Sequence, residues 1–246
     1  MIPLRDANPT RRTPVVTLAI VIACFVAFGV ELFALASGGE DALIALIEQY
    51  GTIPAELTAA LKAGQLVSEP VLDVFTSMFL HAGWLHLLGN MLYLWIFGNN
   101  VEDRMGRVLF LLFYLAGGVA AVAAQTLIDP ASTEPMIGAS GAIAATLGAY
   151  IVLFPGARIQ SLVFLGFFYQ LIDVPAIIVL GFWFVLQLVD GLTSLGAIQS
   201  GGGVAFFAHI GGFVVGAVMA RIVLLVSARR HRPTAPPTPS APPAVG

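Results

Sequence analysis

The chain has 246 residues, of which 58% are hydrophobic and only 10% are charged, and its mean hydropathy is +0.92. Soluble domains carry about 25% charged residues, so this chain has too few polar side chains to cover a water-facing surface. The formal net charge of −3 gives no indication of a nucleic-acid partner, and we expect none. The composition excludes a soluble globular protein and predicts a polytopic helical protein embedded in a lipid bilayer.

Six apolar segments have about the 20 residues that a bilayer-spanning helix requires. They predict spans at about 14–36, 76–98, 108–128, 139–155, 174–190 and 204–226. We therefore expect an all-α fold with a six-helix membrane domain over 14–226, preceded by a cytoplasmic N-terminus at 1–13. The tail 227–246 has prolines among small residues and is expected to be disordered.

Two segments between these spans are expected to lie at the membrane surface. The loop 37–73 shows helix-like apolar spacing over 41–50 and 54–63, which predicts two amphipathic helices on the outer leaflet. The apolar run 159–172 has 14 residues, which is too short for a span. It predicts a re-entrant or interfacial segment, with a hairpin turn near 165–166.

The positive charges lie almost entirely on one side of this six-span topology. That side holds Arg5, Arg11, Arg12, Arg104, Arg107, Arg158, Arg221, Arg229, Arg230 and Arg232, and only Lys62 falls on the other. Because positive loops stay in the cytoplasm, both termini are predicted to be cytoplasmic. A seventh span at 159–172 would move the C-terminal arginines to the outer side and remove the asymmetry.

Two polar residues reach the same depth in this topology. Ser140 opens one apolar segment and His209 lies near the start of another, and both segments enter the membrane from the outer side. A serine hydroxyl is a poor nucleophile until a base takes its proton, and histidine is the usual base. The pair predicts a nucleophile and a general base within the membrane, a variant of the catalytic triad that lacks a carboxylate.

The same region offers hydrogen-bond donors for a developing oxyanion. His86 and Asn90 are four residues apart and share one helix face. Backbone N–H groups at a helix start, including those of Ala139 and Ser140, have no intrahelical partner. Gly138 permits the tight backbone geometry that close substrate approach needs. These residues predict an oxyanion and substrate-binding site.

Small residues form stripes on the two helices that carry the pair. One stripe has His209, Gly212 and Gly216, and the other has Ser140, Ala144 and Gly148 with Gly141 beside it. Small stripes let helix backbones approach closely in lipid. We therefore expect the glycines to be packing residues that bring the serine and the histidine together.

Taken in order along the chain, these residues resemble the rhomboid intramembrane serine proteases. The matching motifs are His86-x-x-x-Asn90, Gly138-Ala139-Ser140-Gly141, Ala208-His209-x-x-Gly212-x-x-x-Gly216 and the turn Glu102-Asp103-Arg104-Met105-Gly106. The resemblance covers about 70–220. It implies a serine endopeptidase that cleaves transmembrane proteins near helix ends, with a lateral gate at 174–190 and with neither metal ion nor cofactor. It also implies Ser140 as nucleophile, His209 as base, and an oxyanion site of His86, Asn90 and the Ser140 amide.

The chain departs from the family pattern at two places. Where the family often has Trp-Arg in the first loop, this chain has Leu72-Asp73. Where some members have a tyrosine four residues after the serine, stacking on the histidine, this chain has Ala144. The first departure concerns how the loop is anchored, and the second concerns how His209 is oriented.

Other functions fit the sequence less well. An inactive rhomboid-like protein that binds client helices is the alternative, but such a protein would be expected to lose Ser140 or His209. A transporter predicts inverted repeats, and a zinc protease predicts His-Glu-x-x-His; the chain has neither. We expect a multi-pass protein of a bacterial-type inner or plasma membrane, with its active site opening toward the outer side and transmembrane proteins as substrates.

Overall fold

A computed structural model describes residues 2–165, 168–194 and 205–230, which are mostly helical. The long apolar helices are α1 (Val15–Tyr50), α6 (Arg107–Ile128), α8 (Ala176–Ser194) and α9 (Phe206–Arg230). Each is long and apolar enough to cross a membrane, and a bent pair of helices between α1 and α6 provides a fifth candidate. The apolar helix α7 (Ser140–Leu153) is shorter, with 14 residues. The predicted polytopic helical bundle is confirmed.

The predicted first loop is largely helical. Helix α1 continues to Tyr50, but it bends at Gly39, whose backbone φ is 71°. The part after this bend includes the predicted helix 41–50. Next come α2 (Pro54–Lys62) and α3 (Glu69–Thr76), followed by a single 3-10 turn. Helix α3 was not predicted as a separate element.

The span predicted at 76–98 is divided by a bend. The helix after the bend begins at Trp84 instead of residue 76 and continues to Met105. The helix Trp84–Met105, formed by α4 (Trp84–Tyr93), a π-helical turn (Leu94–Gly98) and α5 (Asn99–Met105), is bent by 81° from Glu69–Phe79. At the bend, the buried carboxylate of Glu31 accepts a hydrogen bond from the backbone N–H of His81 at 3.0 Å. The chain turns there because a side chain of α1 satisfies the backbone that the helix break leaves free.

A small antiparallel sheet departs from the all-α expectation. It has the order β1-β2-β3, with strands β1 (Ile2–Asp6), β2 (Arg158–Leu165) and β3 (Phe168–Pro175). The apolar run 159–172 is thus a β-hairpin, and Gly166 of its predicted turn lies outside the described residues. Pairing of β1 with β2 joins segments about 150 residues apart, which no local pattern reveals. The expected disorder of 231–246 also lies outside the described residues, whereas 227–230 continue α9.

Asp6 connects this sheet to helices α5 and α7 through hydrogen bonds. Its Oδ2 accepts hydrogen bonds from the Tyr150 hydroxyl at 2.8 Å and from Asn100 Nδ2 at 2.5 Å. Burial raises the pKa of the Asp6 carboxyl above its ordinary value, and the bonds from Tyr150 and Asn8 act in the opposite direction. The N-terminal strand is therefore connected to the first turn of α5 and the last turn of α7.

Helices α7 and α9 approach each other along their small residues. A Cβ added at Gly216 would collide with the carbonyl oxygen of Ala145, and one at Gly212 would collide with that of Gly141. In return, a Cβ added at Gly148 would collide with the carbonyl oxygen of Phe213. Because these neighbours are backbone atoms, they cannot move aside as a flexible side chain can.

Gly216→Ala is therefore expected to lower the free energy of unfolding by about 1–3 kcal/mol, the usual cost of overpacking. Thermal unfolding in detergent micelles measures this effect. Gly29→Ala on α1 is the control, since an added Cβ there meets nothing within 4 Å. We expect the control to be neutral or slightly stabilising; equal unfolding temperatures for the two variants would contradict the close approach of α7 and α9.

Candidate active site

Ser140 is the first residue of α7, and Ala139 is its N-cap residue. Gly138 has a φ of 122°, which side-chain-bearing residues rarely adopt. A Cβ there would also lie 2.8 Å from His86 Nε2. The glycine thus allows the chain to turn into α7 directly against His86. The first backbone N–H groups of α7 have no intrahelical partner, so they are available as donors beside Ser140.

Ser140 meets His209 across the interface between α7 and α9. The Nε2 atom of His209 lies 2.7 Å from the Ser140 Oγ atom, and both residues are half-buried. His209 lies in the first turn of α9. That turn is held by Gln125 of α6, whose Oε1 accepts a hydrogen bond from the Phe207 N–H at 3.1 Å. The two predicted residues are therefore in hydrogen-bond contact, although they are 69 positions apart.

The other nitrogen of His209 contacts α8. Gln187 Oε1 lies 2.6 Å from His209 Nδ1, and the Trp183 ring centroid lies 5.9 Å from that of His209. Gln187 was not among the site residues predicted from the sequence, and this arrangement was missed. The available signal was a tryptophan and a glutamine four residues apart, and so on one face, in an otherwise apolar helix. Helix α8 therefore contacts the His209 ring, which Ala144 cannot do in the way that a tyrosine at its position would.

His86 and Asn90 both lie beside Gly138. The backbone N–H of Ala82 donates to His86 Nδ1 at 3.4 Å, which leaves His86 Nε2 facing Gly138. The Asn90 Nδ2 atom lies 3.7 Å from the same added Cβ position. In the part of the chain that the structure describes, Nδ2 is buried without a hydrogen-bond partner. Two side-chain nitrogens therefore border the backbone two residues before Ser140.

The ring of His81 packs against His86 from the bend before α4. The two ring centroids are 5.2 Å apart, and His81 Nδ1 lies 3.0 Å from the carbonyl oxygen of Phe79. Because its backbone N–H also binds Glu31, His81 is held on three sides. Its contact with the site is the ring contact with His86.

The segment that precedes Ser140 is anchored to the first loop by backbone and hydroxyl groups. The Gly138 N–H donates to the Ser77 carbonyl at 2.8 Å, and Thr52 pairs with Met136 through two backbone hydrogen bonds. The Thr52 hydroxyl also donates to the carbonyl of Asp73 at 3.0 Å. These bonds anchor the first loop, and the bond to Asp73 lies at the position where the family pattern often has Trp-Arg.

Ser140 lines a small recess. Its lining is mostly small and apolar, with Met78, Gly118, Met136, Gly138, Ala142 and Ala208 among its residues. Among the residues that the structure describes, no group of three or more His, Cys, Asp or Glu side chains is placed to hold a metal ion. The site thus combines a serine, a paired histidine and several hydrogen-bond donors, an arrangement suited to acyl transfer.

Comparison with known proteins gives related sequences from bacteria, yeast and a plant. Rhomboid protease GluP of Bacillus subtilis is 37% identical over 128 residues, which are 52% of this chain and 24% of that protein. Rhomboid protein 1, mitochondrial, of Saccharomyces cerevisiae is 30% identical over 149 residues, or 59% of this chain and 40% of that protein. RHOMBOID-like protein 1 of Arabidopsis thaliana is 29% identical over 176 residues, or 71% and 40%. The matches span less than half the length of each of these relatives.

A family model gives the broader assignment. The model of the Rhomboid domain matches residues 68–226, which is more than half of the chain. This range includes α3 to α8, most of α9, and Ser140, His209, His86, Asn90 and Gln187 of the candidate site. The matched range and the apolar helices agree on an integral, multi-pass membrane protein. The chain belongs to the rhomboid family.

Proposed function

We propose that the protein is an intramembrane serine endopeptidase, with Ser140 as the nucleophile and His209 as the general base. The observation that supports this most directly is the 2.7 Å contact between His209 Nε2 and Ser140 Oγ. This distance lies within the range in which a base can take a proton from the hydroxyl. The contact joins two helices in a protein of a family whose named members include a protease.

The reaction uses only groups of this chain, the substrate and water. Ser140 Oγ attacks the scissile carbonyl carbon, and its proton passes to His209 Nε2. The resulting oxyanion accepts hydrogen bonds from His86, Asn90 and the Ser140 N–H. Collapse breaks the C–N bond, and the leaving amine takes the proton from His209. Water, deprotonated by His209, then hydrolyses the acyl-enzyme and regenerates the Ser140 hydroxyl.

The short length of α7 supports a site that is recessed in the membrane. Its 14 residues span about 21 Å at 1.5 Å per residue, whereas the hydrocarbon core is about 30 Å thick. With the termini in the cytoplasm, Ser140 lies below the outer surface and opens toward it. We propose transmembrane proteins as substrates, in a bacterial-type inner membrane, and a mechanism that needs no metal ion or cofactor.

A fluorophosphonate probe tests the proposal in the purified, full-length protein. We expect one modified residue, Ser140, in peptide mass spectrometry, and loss of cleavage of a model transmembrane substrate in proportion to the modification. Ser37, a hydroxyl on α1 that binds backbone carbonyl groups, is the internal control and should stay unmodified. Absence of both labelling and cleavage would overturn the proposal and would favour the inactive, client-binding alternative.

A further inference from the structure

We propose that Gln187 of α8 is a positioning residue that fixes the tautomer and orientation of His209. This inference rests on the proposed protease function and assigns a third member to its catalytic group. The observation is the 2.6 Å contact between Gln187 Oε1 and His209 Nδ1, formed on the ring edge opposite Ser140. Ser140, His209 and Gln187 thus form one continuous chain across α7, α9 and α8.

The contact determines which nitrogen of His209 carries the proton. A carbonyl oxygen of glutamine only accepts hydrogen bonds, so Nδ1 must be protonated and donate to Oε1. In the neutral ring, Nε2 is then unprotonated and able to accept the Ser140 proton. The opposite tautomer would place a proton on Nε2 and prevent it from acting as a base. Gln187 therefore selects the form of His209 that the reaction needs.

The apolar surroundings of Gln187 indicate that its amide needs a hydrogen-bond partner. It lies between Leu186 and Leu188 on a helix whose outward residues, such as Val185, are exposed. A polar side chain in a membrane helix is unfavourable unless it has a partner. The partner here is His209, and Trp183 one turn earlier lies beside the same ring. One face of α8 therefore holds the imidazole by an edge contact and a ring contact.

A neutral amide suits this position during proton transfer. When Nε2 takes the Ser140 proton, the ring becomes an imidazolium whose two N–H groups both need acceptors. The Nδ1–H bond to Oε1 persists, so the amide dipole stabilises the charged ring. A carboxylate would do this more strongly, but its own charge is costly at membrane depth when His209 is neutral.

Two substitutions separate a positioning role from a packing role. Gln187→Met keeps the volume and removes the acceptor, whereas Gln187→Glu keeps an acceptor oxygen and adds a charge. We expect Gln187→Met to lower kcat about 10- to 100-fold, part of what a positioned base contributes, with KM unchanged. The rate of fluorophosphonate labelling should fall by a similar factor. We expect Gln187→Glu to retain more activity than Gln187→Met. A packing role predicts the reverse order, because methionine fits an apolar helix better than glutamate.

Leu112→Met is the control, since this exposed leucine of α6 lies outside the site and outside the expected lateral gate. It should leave kcat and labelling unchanged. Thermal unfolding establishes that each variant is folded, and Gln187→Leu replaces Gln187→Met if the latter is not. Full activity in a folded variant without the acceptor would overturn this inference alone. Absence of labelling and cleavage in the wild-type protein would instead overturn the proposed function.

Discussion

Ser140→Ala is expected to abolish cleavage of a transmembrane substrate while the helical bundle remains folded. Loss of the hydroxyl removes the oxygen that forms the acyl-enzyme. The hydrogen-bond donors of the oxyanion site cannot act as a nucleophile in its place. In serine proteases, removal of the nucleophile alone costs about as much as removal of the whole catalytic group. We expect a fall of about 10³-fold or more in kcat/KM, measured with purified protein in proteoliposomes.

The companion substitution tests whether Ser140 and His209 act as a unit. His209→Ala should reduce cleavage to a similar level, and the double variant should be no less active than either single variant. Ser37→Ala is the control, because among the described residues the exposed Ser37 hydroxyl donates hydrogen bonds only to backbone carbonyl groups of its own helix. Persistent cleavage by Ser140→Ala, or multiplied losses in the double variant, would contradict a shared proton transfer between the two residues.

Much of this site could be predicted because the membrane restricts the alternatives. The arginine asymmetry predicts six spans, and six spans put Ser140 and His209 at similar depth on the same side. The small residues of α7 and α9 then indicate that the two helices can approach closely. These inferences need only the number and direction of the helices, which charge and hydropathy patterns predict well.

Features that depend on helix rotation or distant pairing were not predictable in this way. Gln187 contacts His209 only because of how α8 is turned against α9, and hydropathy gives no rotation for an apolar helix. The β1–β2 pairing joins the N-terminus to the hairpin, and neither strand carries a signal for the other. The 81° bend before α4 likewise depends on Glu31 of α1 meeting the backbone of His81.

The oxyanion donors give the second large expected effect. Asn90→Ala removes the buried Nδ2 that has no partner among the described residues. Loss of one preorganised donor to an oxyanion typically costs about 10²- to 10³-fold in kcat. We expect that loss in kcat with KM nearly unchanged, because the donor stabilises the charge that develops after the substrate has bound. Steady-state kinetics on a model transmembrane substrate measures both constants.

His86→Ala distinguishes a cooperative donor pair from a single donor. Because His86 Nε2 and Asn90 Nδ2 border the same backbone at Gly138, each substitution should lower kcat, and the free energies of the two losses should not add. Leu85→Ala is the control on α4, since its side chain is highly exposed. If Asn90→Ala raised KM and left kcat unchanged, Asn90 would bind the ground-state substrate. If Asn90→Ala lowered the unfolding temperature without affecting kcat, the role of Asn90 would be confined to helix packing.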